Sequence, residues 1–343
     1  MTPPAYSPVV VVVDPGSSHR PAVTWGADEA DRRHLPLRLI RVQGWSPGRW
    51  PPSHSTADHT LTEAVAYARS RHPHLEVSPL YAVGDLGPVL REQARTAAVV
   101  VLGPCGSGTR EAPSASGAVA LPVIARADCP VVVVRDPGHA GRQSPYFVVG
   151  VDVGVDGRRH SEAVLDHAFR QAALHGAELR VLYVWHRPVL GVLDEHAALR
   201  ECRMLLAEAV TSRRAAHPEV KVHHRVVRGR PVQVLSQESA RALGLFVGTR
   251  RHGRLTGVPF GSVVRGALRQ ARCPVVAVPE PGGHGLPRVR PRAGRLMRRV
   301  RGARVSLRPS PTGVRRRAAL RLRGAVWRSR RHAWWRRWRG FRP

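Results

Sequence analysis

Short runs of β-branched residues alternate with longer stretches in which apolar residues recur every three or four positions. Between residues 146 and 280 the runs predict five strands, at about 146–151, 178–185, 221–227, 244–248 and 274–279. The stretches between them predict four helices, at about 160–175, 196–216, 231–242 and 262–271. Near-continuous apolar runs are typical of parallel strands that are covered on both faces. We therefore expect an α/β, doubly wound, five-stranded sheet.

Two residues suit the beginnings of these helices. The hydroxyl of Ser161 is able to cap the helix at 160–175. Pro231 suits the first turn of the helix at 231–242, because its missing N–H is not needed there.

The same succession of elements occurs twice. The segment VVVVVDPGSS at 9–18 matches FVVGVDVGVDG at 147–157, which places Asp14 opposite Asp152. Three further matched segments follow, 37–45 with 179–187, 77–90 with 222–235 and 127–137 with 271–281. We therefore predict two tandem Rossmann-like domains: a first copy at 8–136 and a second copy at 146–280.

The charge is unevenly distributed along the chain. The net charge is +31, but residues 288–343 contain 21 arginines and no acidic residue, which leaves about +10 for the rest.

The longest apolar runs, such as Val9–Val13, are far shorter than the roughly 20 residues of a membrane span. The beginning of the chain has no basic segment and no long apolar stretch typical of a signal peptide. We expect a cytoplasmic protein without a transmembrane segment.

The cysteines and histidines do not form recognisable metal or disulfide patterns. No CxxC pair occurs among the four cysteines, and we expect buried or idle thiols: Cys105, Cys129, Cys202 and Cys273. The close-set histidine pairs lack zinc-ligand spacing, and we expect them to be solvated surface residues: His72 with His74, and His223 with His224.

Candidate binding residues follow strands of the second copy. Ligands of open parallel sheets bind beyond the carboxyl ends of the strands. Asp152 ends the first strand, and a loop containing several glycines runs from Gly248 to Gly261 and Ser262. Glycines allow close approach of the backbone, and a helix N-terminus favours phosphate. A plain tight turn is the alternative interpretation of this loop.

The opening VDVGVDG, the loop VGTRRHGRLTG and the closing strand RCPVVAVP together resemble the universal stress protein family. The resemblance covers most of residues 8–280 and implies that each copy has the adenine-nucleotide alpha hydrolase-like form of the Rossmann-like fold. Nucleotide-binding members carry Gly-x2-Gly-x9-Gly-Ser/Thr in this loop. Gly248, Gly261 and Ser262 match that motif, whereas Arg251 stands at the second glycine.

The resemblance implies a site for ATP, with or without Mg²⁺, in the second copy. By analogy Asp152 contacts the ribose or adenine side, and the second strand lines the adenine pocket through Leu179 and Val181. The phosphates are held by the last group of residues: Gly248, Gly261, Ser262 and Val263. The resemblance also implies that the two copies pair through their closing strands, 131–134 and 275–278, as family dimers do. Association of two whole chains into a homodimer is a further hypothesis.

Two residues of the loop leave alternatives open. The β-carbon of Arg251 is able to block the backbone cradle, or its guanidinium is able to pair with phosphate oxygens. His252 would lie over the nucleotide or face water.

The first copy departs further from the motif. Gly103 and Gly106 are present, but Ser116 stands at the third glycine and Gly117 is displaced by one residue. We expect this copy to bind nucleotide weakly or not at all. Asp14 contacts a ligand or serves simply as a turn former.

The sequence lacks the common enzyme motifs. It contains no G-x-S-x-G elbow and no P-loop, and its one lysine, Lys221, precedes a strand. Together with the resemblance, which implies stress association and ATP as a regulatory ligand, this leads us to expect a non-enzymatic protein. Weak ATP hydrolysis is a further hypothesis, although no general base is identifiable near the γ-phosphate.

Residues 281–343 form an arginine-rich tail. Arginine mixed with proline and glycine predicts disorder over 288–313. Beyond residue 314, large apolar residues recur at helical spacing above an arginine face: Leu320, Trp327, Trp334, Trp338 and Phe341. Such a helix fits an anionic membrane surface or a nucleic acid, and a solvated extension without a partner has the same composition. The alternative function is therefore an adaptor that acts through this tail.

Overall fold

A computed structural model of the chain describes residues 7–14, 19–43, 54–103, 115–135, 144–152, 157–185, 195–249 and 261–280. Several residues singled out above lie outside these ranges: Cys105, Gly106, Arg251, His252 and the tail from residue 281 onward.

Strands and helices alternate through the first copy. The elements are, in order, β1 (Val9–Val12), α1 (Arg20–Arg32), β2 (Leu37–Gln43), α2 (His54–Arg71), β3 (Val77–Val83), α3 (Leu86–Ala94), β4 (Val99–Leu102), α4 (Ala115–Ile124) and β5 (Val131–Val133).

The second copy repeats the same order. Its elements are β6 (Tyr146–Val151), α5 (Gly157–His175), β7 (Glu178–Trp185), α6 (Glu195–Ala216), β8 (Val222–Arg228), α7 (Pro231–Glu238), β9 (Gly244–Thr249), α8 (Ser262–Gln270) and β10 (Val275–Pro279). The predicted strands are confirmed to within one residue at each end. Helix α7 ends earlier than predicted, because residues 239–243 form turns, with the N–H of Ala242 bonded to the carbonyl of Ser239. Pro231 lies in the first turn of α7, as expected.

The two predicted five-stranded sheets are joined into one. The strand order is β3-β2-β1-β4-β5-β10-β9-β6-β7-β8. Every neighbouring pair is parallel except β5 with β10, which run antiparallel with Val133 opposite Val275 and Val131 opposite Ala277. The expected pairing through the closing strands is therefore confirmed. It places the pseudo-twofold axis at the centre of the sheet.

The strand register confirms the duplication. In the first copy Val9 of β1 lies opposite Leu37 of β2 and Val99 of β4. In the second copy Phe147 of β6 lies opposite Leu179 of β7 and Gly244 of β9. The repeated segments align Val9 with Phe147 and Leu37 with Leu179, so the sheet pairs equivalent residues in the two copies.

Helices cover both faces of the sheet, which explains why the strands are apolar throughout. We call the side under α1, α2, α5 and α6 the first face; Val9, Val11, Leu37 and Leu39 point to it. The second face lies under α3, α4, α7 and α8 and receives Val10, Val100 and Ile40 among others. Alternation along each strand sends neighbouring valines to opposite helical layers.

The thiols and histidines differ in their surroundings. Cys129 and Cys273 are buried, as expected, and burial raises their pKa values to about 12 and about 11. His74 and His223 are exposed, but the expectation for His72 is wrong. Its side chain is only 19% exposed because its ring nitrogens contact Asp28 at 2.8 Å and Asp31 at 3.3 Å.

Among the helices within the described ranges, none combines the length and apolar character that a bilayer span requires.

Candidate functional site

The carboxyl ends of β6 and β9 bring two predicted site residues to one edge of the sheet. These strands are neighbours, with Gly150 opposite Val247. Continued by two residues, this register sets Gly248 beside Val151 and Thr249 beside Asp152, so Asp152 and Gly248 are near neighbours at the edge. The chain enters β7 on one side of β6 and returns to β9 on the other, so this is the switch point where open sheets bind ligands. Asp152 is exposed there.

A buried serine holds the end of β6 in place. The Ser161 hydroxyl donates to the carbonyl of Asp152 at 2.7 Å and accepts from the N–H of Asp152 at 3.0 Å. Ser161 is only 4% exposed. The expectation that it caps α5 is wrong, because α5 begins at Gly157 and includes it. Its hydroxyl instead fixes the backbone of the candidate ligand-binding aspartate.

The N-terminus of α8 supplies the second half of the site. Helix α8 returns the chain from β9 to the parallel strand β10, so it begins at the carboxyl edge of the sheet. Gly261 is its N-cap in an extended conformation, and no side-chain hydrogen bond caps the helix among the described residues. Ser262 is exposed at the first position, and Val263 is half-buried beside it. The first N–H groups and the helix dipole favour an anion at this point.

The β7 residues expected to line the adenine pocket lie elsewhere. Leu179 and Val181 have no exposed surface and belong to the core of the first face. The structure therefore does not bring them to the edge. Tyr183 and Trp185 lie on the same strand face, nearer its carboxyl end, and are therefore closer to the edge of the sheet.

Tyr183 is a site residue that the sequence analysis missed. It lies opposite Val151 on the neighbouring strand, one residue before Asp152. Burial, together with Cys202 and the charge of Asp152, raises the pKa of its phenol to about 12. The phenol is therefore within electrostatic reach of Asp152. The sequence could have indicated Tyr183, because it lies two residues beyond Val181 and therefore on the same strand face.

The first copy has the same framework with different side chains. Asp14 follows β1 and Gly103 follows β4, and these strands are paired with Val11 opposite Val101. Helix α4 begins at Ala115, so Gly117 lies within its first turn rather than at its N-cap. At the carboxyl end of β2, Arg41 and Gln43 occupy the positions that Tyr183 and Trp185 hold in the second copy.

The described residues offer no metal site of their own. Among them, no three side chains of His, Cys, Asp and Glu are grouped in a way that could hold a metal ion. Within the described ranges, the polar groups at the edge of the second copy include the Asp152 carboxylate, the Ser262 hydroxyl and the first N–H groups of α8. This set is able to bind hydroxyl groups and phosphate oxygens.

The sequence is similar to one protein family and to individual members of it. The model of the universal stress protein family matches residues 5–135 and again 151–279. Universal stress protein Rv2005c of Mycobacterium tuberculosis is 32% identical over 291 residues, which covers 78% of this chain and 95% of that protein. Universal stress protein Rv2623 of the same organism is 30% identical over 297 residues, covering 79% of this chain and 96% of that protein.

Solved structures share the fold at low sequence identity. A universal stress protein from Archaeoglobus fulgidus has a TM-score of 0.60 at 15% identity, covering 80% of this chain and 96% of its own. A functionally unknown protein from Pseudomonas aeruginosa has a TM-score of 0.60 at 17% identity, covering 80% of this chain and 93% of its own.

Proposed function

Because the chain belongs to the universal stress protein family, we propose that it is a non-enzymatic stress-response protein whose second copy binds ATP as a regulatory ligand. One observation carries the proposal. Asp152, Gly248 and the uncapped N-terminus of α8 share the carboxyl edge of the sheet at its switch point.

The site divides into a sugar side and a phosphate side. The carboxylate of Asp152 accepts hydrogen bonds from the ribose hydroxyls, while Ser161 holds its backbone. Gly248 has no side chain to obstruct the phosphates. The Ser262 hydroxyl and the N–H of Val263 donate to them at the N-terminus of α8. Arg251, with or without Mg²⁺, adds positive charge on the phosphate side.

The base binds near the end of β7. Tyr183 is half-buried and within electrostatic reach of Asp152, so its ring is available to contact adenine. Leu179 and Val181, which have no exposed surface, support Tyr183 from the core rather than touching the ligand.

The two aspartates at equivalent strand ends provide a matched test. Calorimetric titration of the full chain with ATP and AMP should detect binding, and Asp152→Asn should weaken it at least about tenfold, as the loss of a charged hydrogen bond implies. Asp14→Asn should leave it unchanged, because the ligand lies in the second copy. Absence of heat at millimolar ATP, with the protein shown to be folded, would remove the proposal.

A second titration separates the phosphate side from the base side. Replacing Ser262 with proline removes a donor hydroxyl and the N–H at the first position of α8. The variant should lose affinity for ATP but retain its weaker affinity for adenosine. Equal losses for both ligands would contradict the assignment of phosphates to α8.

The non-enzymatic part is tested by phosphate release. Purified protein incubated with ATP and Mg²⁺ should release no more phosphate than buffer. Release that Asp152→Ala abolishes would show turnover at this site and would contradict the proposal.

The composition of the tail favours a second candidate function. Its 21 arginines without an acidic residue, together with its tryptophans, suit a nucleic acid or an anionic membrane surface. An adaptor of this kind should bind DNA or anionic vesicles with strong salt dependence. Deletion of residues 288–343 should abolish that binding and leave ATP binding intact.

A further inference from the structure

A half-buried cationic side chain, Arg41, lies at the carboxyl end of β2 in the first copy. The Nε and Nη1 atoms of Arg41 are inaccessible to solvent and have no hydrogen-bond partner among the residues that the structure describes. A guanidinium is charged at any physiological pH, so it cannot escape this situation by losing a proton. Buried donors without acceptors are unfavourable, and a charged one is more so. An anion bound at this point would remove the penalty.

The strand geometry explains why Arg41 occupies this position. Leu37 and Leu39 lie on the first face and are fully buried under α1 and α2. Arg41 follows at the next position on that face, near the end of the strand, where it lies opposite Tyr81 of β3. On its other side the N–H of Val13 bonds to the carbonyl of Ile40, which holds the end of β1 against β2.

A second side chain with donor groups, Gln43, follows Arg41 on the same strand face. Gln43 is two residues further along the same strand face, about 7 Å away by the strand repeat. Its Oε1 atom accepts a hydrogen bond from the hydroxyl of Tyr81. With the amide oxygen engaged, the N–H groups of Gln43 are the part that is left for a ligand. Arg41 and Gln43 therefore carry donors on one strand face, and long side chains at this backbone separation are able to reach one oxyanion.

The second copy lacks this arrangement. Strand register places Tyr183, Trp185 and Val226 at the positions of Arg41, Gln43 and Tyr81. The first copy is therefore polar and cationic where the second copy is aromatic and apolar. This difference favours a small anion in the first copy over the flat apolar base of a nucleotide.

We propose that Arg41 and Gln43 form a binding site for a small oxyanion, a phosphate or carboxylate group, at the carboxyl end of β2 in the first copy. The N–H groups of a guanidinium donate charge-assisted hydrogen bonds to the oxygens of such groups. The site is independent of the ATP site proposed for the second copy.

Thermal unfolding of the full chain tests the site. The melting temperature is measured with inorganic phosphate, pyrophosphate or malonate against sodium chloride of equal ionic strength. A ligand that binds the folded state raises the melting temperature, and we expect a rise of several degrees for wild type. Phosphate and malonate distinguish a phosphate group from a carboxylate as the preferred ligand.

Two variants locate the effect. Arg41→Met keeps the length of the side chain without its charge, so it should lose at least half of the oxyanion-dependent shift. Without oxyanion it should melt above wild type, because two buried donors without acceptors are gone. Arg38→Met is the matched control: Arg38 lies on the opposite strand face, its Nη1 donates to Gln93 at 3.0 Å, and the oxyanion shift should persist.

Other outcomes overturn the proposal. If wild type responds to no oxyanion beyond chloride, or if Arg41→Met responds as strongly as wild type, there is no site at Arg41. A shift that persists in Arg41→Met and disappears in Ser262→Pro would instead place the anion at α8. Should Arg41→Met fail to fold, Arg41→Lys retains the charge without the planar fork, and its oxyanion shift should be smaller than that of wild type.

Discussion

Glu29 of α1 and Gln171 of α5 occupy equivalent places in the two copies and bond directly to each other, with Gln171 Nε2 donating to Glu29 Oε1 at 2.9 Å. Their equivalence follows from matching turns: the N–H of Leu35 bonds to the carbonyl of Ala30, and the N–H of Ala177 bonds to that of Ala172. The bond therefore crosses the pseudo-twofold axis. Two identical copies would place two carboxylates against each other here.

The carboxylate of Glu29 is the centre of a buried ionic group. It is 1% exposed and also contacts Arg33 at 2.5 Å and His175 Nε2 at 3.3 Å. Burial alone would raise the pKa of Glu29, but the hydrogen bond from His175, the charges of Arg33 and His175 and the bond from Gln171 lower it overall. The unlike copies are thus joined by a charged contact in addition to the β5–β10 ladder.

We expect Glu29→Gln to destabilise the protein by about 1–3 kcal/mol, because two partners lose their buried acceptor charge. Urea unfolding measures the change. Glu92→Gln is the control, since the Glu92 side chain is 73% exposed and its 3.5 Å contact with Arg95 is solvated. A loss no greater than that of the control would show that the crossing contact adds nothing to stability.

His167 should make stability depend on pH. Burial, with the charges of Arg33 and Arg170, lowers the pKa of His167 to about 3. Between about pH 6.5 and pH 3 the unfolded chain binds a proton that the folded protein does not, so stability falls as pH falls. By pH 5 the loss is on the order of 2 kcal/mol.

His167→Phe retains a ring against Phe246, 5.8 Å away in the native pair, and should remove the loss between pH 6.5 and 5. Glu29 contributes in a lower window. Its folded pKa is lowered, so its stabilisation is present above its usual value near 4.3 and is lost as pH falls below it. Denaturant unfolding at several pH values separates the two. If the free energy of unfolding of His167→Phe falls between pH 6.5 and 5 as steeply as that of wild type, His167 does not cause this loss.

Gly26 allows α1 to lie close against β1. A β-carbon at Gly26 would overlap Cγ2 of Val11, which is fully buried and cannot move aside. We expect Gly26→Ala to cost about 1–3 kcal/mol of stability by overpacking. Gly87→Ala in α3 is the matched control, because a β-carbon there meets nothing within 4 Å, and its stability should be unchanged or slightly higher. Equal melting temperatures for the two variants would be inconsistent with this packing.

Ser161→Ala should affect both stability and the ATP site. It removes the two bonds that hold the backbone of Asp152, at a cost of about 1–2 kcal/mol. ATP affinity should fall as well, because Asp152 is no longer held in one position, whereas Ser212→Ala on the exposed side of α6 should change neither. Reduced stability with unchanged ATP affinity would make Ser161 a purely structural residue.

The order of elements was predictable because its causes are local. Apolar runs and helical spacing located the strands of the second copy to within a residue, and the repeated segments aligned the partners that the sheet pairs. The expected contact between the closing strands rested on the family resemblance, and the antiparallel pairing of Val133 with Val275 confirms it.

Properties of individual side chains were less predictable. Leu179 and Tyr183 belong to the same strand face and both follow its alternation. Only their depth under the helices separates a core residue from one near the edge. Ser161 stood near a helix start in the sequence, yet its hydroxyl serves a strand end nine residues earlier.

The sequence by itself therefore determined the duplicated α/β framework, since hydrophobic periodicity and turn residues act between near neighbours along the chain. The tertiary structure decided which distant side chains meet. Glu29 and Gln171 are 142 residues apart in sequence, and their contact exists only because β5 and β10 join the two sheets. The burial of two guanidinium nitrogens of Arg41 likewise depends on how deeply this residue lies in the folded sheet, which the local sequence does not specify.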